Sequence, residues 1–298
     1  MPDAAALPQP PSFLAGLGTI ADSYDGFILD VWGVLHNGID PFPGVIDCLD
    51  RLNRAGKRLC VLSNAPRRTP DVVKRTEQVG IPRALYHEVM SSGEDAWQAL
   101  ARRDEPFYAA LGRRCYHIGP DRDDSMRDGL DLEVVDEPEQ AEFILNTGPW
   151  GWDETVEGYE DVLRRARARD LPMVCANPDL VVMLGDRRAI CAGALAQRYE
   201  ALGGRVRWHG KPYPSVYERC FALLGVPDRR RILAIGDSLR TDIAGANGAG
   251  IDSVLVAGGI HAEEFGLRPG QLPDPALVEA AIAAAGARPN AVMAHLAW

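Results

Sequence analysis

Short, continuous apolar runs alternate along this chain with segments in which apolar residues recur every three or four positions. The runs Phe27–Leu29, Leu59–Leu62, Ile232–Ile235 and Ser253–Val256 are bounded by Gly, Asn, Asp or Ser. They show little inside–outside alternation, which suits strands covered on both faces of a parallel sheet. Helical spacing is clear in "PSVYERCFALLGV", where Val216, Cys220, Phe221 and Leu224 fall on one face and Pro214 stands at the start. The alternation of the two patterns predicts a doubly wound α/β sheet.

The middle of the chain carries its own set. "CYHIG" from Cys115, "FILNTG" from Phe143 and "MVCANPD" from Met173 read as strands. A charged helix is expected from about Asp153 to Asp170 and another near Ala189–Leu202. Together they predict a smaller α/β domain inserted into the first, with a discontinuous core at 1–100 and 206–298 and the insert at 101–205. "GANGAG", residues 245–250, reads as a helix-to-strand turn. "LVEAAIAAAGA" is too short and too interrupted to span a bilayer and reads as a helix packed on the body.

A length of 298 residues is enough to bury a sizeable core. The formal charge of −10, with no basic run of five or more, argues against non-specific binding to nucleic acid or acidic membranes. An anionic ligand must therefore be held by local chemistry. Six scattered cysteines without a CxxC pair read as buried thiols in a reducing compartment. "MPDAAALPQPPSF" lacks the basic and apolar regions of a signal peptide and reads as a proline-rich tail. A cytoplasmic protein is expected.

Open parallel sheets bind ligands just beyond the carboxyl ends of their strands. Asp30 follows "FIL" and Asp237 follows "ILAIG", so both carboxylates are expected at that edge. They would repel each other unless a cation lay between them, and hard oxygen ligands with an anionic substrate suggest Mg²⁺. Ser63 and Asn64, with backbone N–H groups near Ala65, can hold phosphate oxygens. Lys211 offers a point charge suited to phosphate, and Asp242 follows Asp237 closely. Each piece alone has a plainer reading as a helix cap or loop start. Their joint position at strand ends is what points to a site.

In this order, Asp30 with "GVL", Ser63, Lys211 and Gly236-Asp237-Ser238 with Asp242 resemble the four motifs of the haloacid dehalogenase-like hydrolase superfamily. The long insertion with "ANPD" at residues 176–179 resembles the C2-capped class IIA branch of sugar, nucleotide and p-nitrophenyl phosphatases. The similarity runs from about Tyr24 to Ile260. It implies that Asp30 attacks phosphorus to form an aspartyl-phosphate that water then hydrolyses. It further implies that Asp30, the Trp32 carbonyl and Asp237 hold Mg²⁺ with support from Asp242, that Ser63 and Asn64 bind the transferring oxygens, and that Lys211 neutralises charge. Asn177 and Asp179 belong to the cap loop expected to help select a small phosphorylated metabolite. A homodimer is expected only by analogy with capped relatives.

One position departs from the pattern. Phosphatases of this superfamily usually carry a second aspartate two residues after the first, as general acid and then base, and here that residue is Trp32. Losing a positioned acid costs ~10²–10⁴-fold in rate, least for leaving groups already stable as anions. Slow or selective turnover is therefore expected. Trp32 reads equally as a packing residue or as a platform for substrate, and His36 in the "HNG" turn is a nearby titratable group expected to face water. Dehalogenases of the superfamily carry an aromatic residue here and cation pumps a threonine. Two alternatives stay open at this point: a binding or regulatory protein without efficient turnover, and a dehalogenase-like hydrolase.

Other signals are set aside. Gly236-Asp237-Ser238-Leu239 spells the signature of GDSL esterases, but neither His261 nor His295 has an aspartate three residues before it. His87-Glu88 lacks the second histidine of HExxH, the place being Ser91. His117 and His209 read as structural, and Arg67-Arg68 as a solvated loop, with contact to a second anionic group of a substrate as the alternative.

Overall fold

The computed structural model describes residues 10–184, 187–268 and 271–298. In chain order its strands are β1 Ser12–Leu14, β2 Gly26–Leu29, β3 Arg58–Ser63, β4 Glu88–Ser91, β5 Arg114–Ile118, β6 Glu133–Val135 and β7 Phe143–Asn146. These are followed by β8 Pro172–Cys175, β9 Val181–Leu184, β10 Arg187–Ile190, β11 Arg205–Trp208, β12 Ile232–Gly236, β13 Asp252–Val256 and β14 Ala291–Met293.

Seven strands form one parallel sheet in the order β1-β14-β13-β12-β2-β3-β4. From β2 the chain winds outward through β3 and β4, while from β12 it winds the other way through β13 and β14. Neighbouring β2 and β12 therefore mark the point where strand order reverses, the place at which open sheets leave a crevice for ligands. Both faces are covered, which is why the runs are continuously apolar. Phe27 and Leu29 pack with Cys48, Leu49 and Leu52 of the helix Val45–Arg54. Ile28 points to the opposite face, against Val216, Tyr217 and Cys220 of the helix Pro214–Leu224.

A second parallel sheet has the order β11-β8-β7-β5-β6, and β9 and β10 form an antiparallel pair. One face of this smaller sheet packs on Leu163, Leu195 and Tyr199. The other packs on Ala96, Ala99 and Leu100 of the helix Ser92–Arg102, which starts directly after β4 of the large sheet. His209 ties the units together: its Nδ1 meets Asp95 Oδ2 at 2.7 Å and its Nε2 meets the Tyr108 hydroxyl at 2.5 Å, while Arg219 Nε donates to Asp95 Oδ1 at 2.7 Å. His209 is thus a satisfied structural residue, as is His117, whose Nε2 lies 2.9 Å from Thr147 Oγ1.

Several sequence expectations need correction. The charged helix begins later, as a 3₁₀ turn at Val156–Tyr159 followed by the helix Glu160–Ala168. The next helix is Ala192–Ala201, because Ala189 lies in β10 and pairs with Val182. "GANGAG" is mostly helical, within Ala244–Ala249, and only Gly250 turns the chain, at φ 70°. The start of the chain, expected as a tail, is outside the described residues up to 9, but Ser12–Leu14 adds an edge strand beside Ala291–Met293. The alanine-rich helix is Pro275–Ala285, docked through Val278, Ala281 and Ile282. All six cysteines are free and buried, and no described helix is long and apolar enough to cross a membrane.

Candidate active site

Asp30 comes directly after β2, and its N–H still donates to Ile235 O at 2.9 Å, so the backbone is pinned to β12 where the side chain leaves the sheet. Asp237 leaves β12 beside it. A Cβ on Gly33 or Gly259 would lie 1.9 or 2.1 Å from Asp237 Oδ2, so the carboxylate occupies space that only glycine allows. Its Oδ2 accepts from Ile260 N–H at 2.8 Å. Asp242 accepts from Ser238 N–H at 3.1 Å. Carboxylate oxygens of Asp30, Asp237 and Asp242 all lie within 4.8 Å of one another, and all three residues are buried.

Lys211, 3 % exposed, enters this group from the chain after β11. Its ammonium donates to Asp30 Oδ1, to Asp242 Oδ1 at 2.7 Å and to Leu62 O at 3.3 Å. Three carboxylates and one ammonium leave a formal excess of negative charge. Burial lifts the Asp30 carboxyl to about 7 in spite of Lys211, with Asp242 adding to the rise. Burial, then Asp30 and Asp242, hold the Asp237 carboxyl well above its ordinary range. Although burial disfavours the ammonium, Asp242 and Asp30 keep Lys211 well above its usual value. A compact, all-oxygen, over-negative set of this kind fits a small divalent cation, whose charge would relieve the repulsion.

Ser63 ends β3 at the same edge. Its Oγ accepts from Ala65 N–H at 3.1 Å, leaving the hydroxyl proton for another partner. The Asn64 side chain is occupied differently from what its position suggests. Its Oδ1 accepts from Lys211 N–H at 2.8 Å, and its Nδ2 donates to Lys211 O at 3.2 Å and to Asp179 Oδ1 at 2.9 Å. One amide therefore brackets the Lys211 peptide and joins it to the inserted unit. Asn177 Oδ1 accepts from Asp179 N–H at 2.9 Å and shapes that loop, while Arg240 Nη2 reaches across to Pro178 O at 3.0 Å.

Trp32 lies against the "HNG" turn, with its ring atoms where a Cβ on Gly38 would stand and its centroid 5.3 Å from His36 at an interplanar angle of 72°. His36 does not face water: it is 1 % exposed. Its Nδ1 accepts from Gly38 N–H at 2.9 Å, so the neutral ring carries its proton on Nε2. Nε2 has no hydrogen-bond partner among the described residues. Burial, with help from Arg75, pushes the imidazole down to about 4. The expectation of an exposed turn histidine is overturned because the turn folds back on the indole.

These groups open into one cavity of about 760 Å³. Asp30, Ser63, Lys211, Asp237 and Asp242 line one end, with Asn64, Ala65, Asn177 and Asp179 beside them. Trp32, Ile39 and Phe42 give it an apolar wall, and Trp152, Val181 and Val182 of the inserted unit face it. The arginine pair is not a solvated loop. Arg67 Nε donates to Asp123 Oδ1 at 3.0 Å, and Arg68 Nε donates to Glu94 Oε2 at 2.7 Å with its guanidinium over Trp97. Sequence reasoning missed Asp123, Arg122 and Trp152, which sit in irregular segments with no motif around them. Ser238, the would-be esterase serine, caps the following turn through Thr241 N–H at 3.3 Å.

A strand-order switch point carrying an acid cluster with a buried lysine, under an inserted α/β unit, defines a class of capped hydrolases built on a Rossmann-like sheet. Residues 27–133 match the haloacid dehalogenase-like hydrolase family model, and residues 208–285 match a second HAD-hydrolase-like model. A solved hydrolase of the haloacid dehalogenase-like family from Brucella suis is 36 % identical, with a TM-score of 0.81, over 95 % of this chain and all of that one. This chain belongs to the haloacid dehalogenase-like hydrolase family. Mouse chronophin is 28 % identical over 266 residues, covering 84 % of this chain and 86 % of its own. The D-glycerol 3-phosphate phosphatase of Mycobacterium tuberculosis is 27 % identical over 260 residues, 82 % of this chain and 65 % of that protein. A glycerol phosphate phosphatase from that organism, solved with magnesium, shares the fold at a TM-score of 0.63 and 23 % identity over 84 % of this chain and 73 % of that one.

Proposed function

We propose that this hydrolase is a Mg²⁺-dependent phosphatase acting on small phosphomonoesters through an aspartyl-phosphate at Asp30. The observation that carries the reading is the meeting of Asp30, Lys211, Asp237 and Asp242 in one buried group at the switch point. In this reading Asp30, the Trp32 carbonyl and Asp237, backed by Asp242, hold Mg²⁺, which when bound supplies positive charge to the transferring phosphoryl group. Named phosphatases among the relatives, and magnesium in a fold neighbour, support it.

Asp30 attacks phosphorus, a P–O bond forms to its carboxylate, and the ester P–O bond breaks with the electron pair going to the leaving oxygen. Lys211 keeps Asp30 in place and offsets phosphoryl charge, while the Ser63 hydroxyl and backbone N–H groups near Asn64 and Ala65 hold the equatorial oxygens. Water then cleaves the acyl phosphate and frees inorganic phosphate. The insert at about 101–205 acts as the cap, excluding bulk water and contacting the leaving group through the loop at Asn177–Asp179.

Trp32 leaves the first step without its usual proton donor, and His36 sits neutral beneath the indole. Turnover should therefore follow leaving-group stability. With Mg²⁺, aryl and acyl phosphates are expected to exceed alkyl phosphates in kcat/KM by ~10²-fold or more. Equal rates for both classes would mean that another group donates the proton.

Asn64 gives a second expectation. Its amide fixes the Lys211 peptide and meets Asp179, so Asn64→Ala should lower kcat by ~10-fold or more by loosening the lysine. Asn64→Asp, which keeps the acceptor for Lys211 N–H but sets a carboxylate against Asp179, should fall at least as far. Wild-type kcat in a folded Asn64→Ala enzyme would remove this residue from the positioning of Lys211.

A further inference from the structure

We propose that the cavity carries a second anion subsite, formed by Arg67 of the large-sheet unit and Arg122 of the inserted unit around Asp123 and Trp152, which takes a carboxylate on the leaving group of the substrate. This inference rests on the phosphatase reading, which it extends from reaction type to substrate class.

The subsite is built on a buried acid. Asp123 is 2 % exposed and accepts from Arg67 Nε at 3.0 Å and from the Thr147 hydroxyl, which in turn lies 2.9 Å from His117 Nε2. That network fixes one carboxylate and uses one N–H of Arg67. Arg67 is also held through its backbone: its carbonyl accepts from Ser91 Oγ at 2.5 Å, and a Cβ on Gly93 would lie 2.3 Å from its nitrogen. Beside it the guanidinium of Arg122 lies 4.0 Å over the Trp152 ring. Stacking uses the face of a guanidinium and leaves its N–H edge directed sideways. Among the described residues no hydrogen-bond acceptor meets that edge.

The charge count points the same way. In the cavity lining the guanidiniums of Arg67 and Arg122 both act on the single carboxylate of Asp123, so this trio holds one more positive charge than its acid neutralises. A planar fork matches a carboxylate in two parallel hydrogen bonds. All four residues line the same cavity as Asp30 and Lys211. Arg67 is four residues beyond Ser63, which bounds their Cα separation at ~14 Å. The lining fits a ligand that carries a phosphate, a short apolar or aromatic part and a carboxylate, with Trp32 and Phe42 among the apolar residues available to it.

The test compares phenyl phosphate with its ortho, meta and para carboxyl derivatives, on the wild type and on Arg122→Gln. At least one carboxyl isomer is expected to exceed phenyl phosphate by ~10-fold in kcat/KM, mainly through KM, as a charge-assisted pair would give. Arg122→Gln should bring that ratio close to unity, and Arg122→Lys, which keeps charge but loses the fork, should retain only part of it. Either no isomer with an advantage, or an advantage that survives Arg122→Gln, overturns the proposal. Equilibrium binding of the same esters to Asp30→Asn, with and without Arg122→Gln, separates the two readings. Absence of hydrolysis by the wild type would count against the phosphatase, while a carboxylate preference in binding that is indifferent to Arg122 would count against the subsite. Should Arg122→Gln fail to fold, Arg67→Gln carries the same comparison.

Discussion

Replacement of Asp30 by asparagine is expected to lower turnover of the best aryl phosphate by at least ~10⁴-fold, the scale on which a covalent nucleophile is lost. The fold should survive. Asn is nearly isosteric, the Asp30 N–H bond to Ile235 O is independent of the side chain, and Lys211 keeps Asp242 as a partner at 2.7 Å. Removing one of three clustered carboxylates also relieves the repulsion that raises Asp30 and Asp237. A thermal melt of the variant should therefore lie close to that of the wild type in the absence of metal. In parallel, wild-type enzyme quenched in acid during turnover should carry covalent phosphate at Asp30. Turnover above a tenth of wild type in folded Asp30→Asn would remove Asp30 as nucleophile, whatever the geometry around it.

That expectation draws on residues that could be read before any fold was known. Strand ends are legible because continuous apolar runs stop abruptly, and Asp30, Ser63 and Asp237 stand where β2, β3 and β12 stop. The crevice between β2 and β12 is a consequence of strand order, which local pattern does not encode but which the α/β alternation restricts to a few choices. Asn64 marks the boundary of such reading. Its type and place suggest a phosphate ligand, yet its amide is taken up by Lys211 and Asp179, partners 147 and 115 residues away. His36 fails for a related reason. "HNG" announces a turn, and the turn exists, with Asn37 Oδ1 accepting from Ile39 and Asp40 N–H and Gly38 at φ 92°. Which way the preceding side chain points is decided by the indole four residues earlier. The pair Arg122 and Asp123 was silent because a 3₁₀ segment has no periodicity to break.

Trp32→Asp is expected to raise kcat/KM for alkyl phosphates by ~10²-fold or more while changing aryl phosphates little, so that the alkyl-to-aryl ratio is the quantity to measure. The environment favours this gain. An added carboxyl would stand near three acids already crowded at the sheet edge, and like charges raise a carboxyl pKa toward the range in which it can hold and donate a proton. The backbone carbonyl of residue 32 is unchanged, so metal binding should persist. The cost is packing: the indole covers His36 and fills the space beside Gly38, and it is only partly buried, so the loss should be on the order of 2 kcal/mol, less than for a fully buried aromatic. His36 Nε2–H, without a hydrogen-bond partner among the described residues beneath the ring, would gain access to water and recover part of that loss. A folded, metal-binding Trp32→Asp enzyme with an unchanged alkyl-to-aryl ratio would show that proton delivery to the leaving oxygen does not limit this site, and that the indole is retained for what it touches rather than for what it displaces.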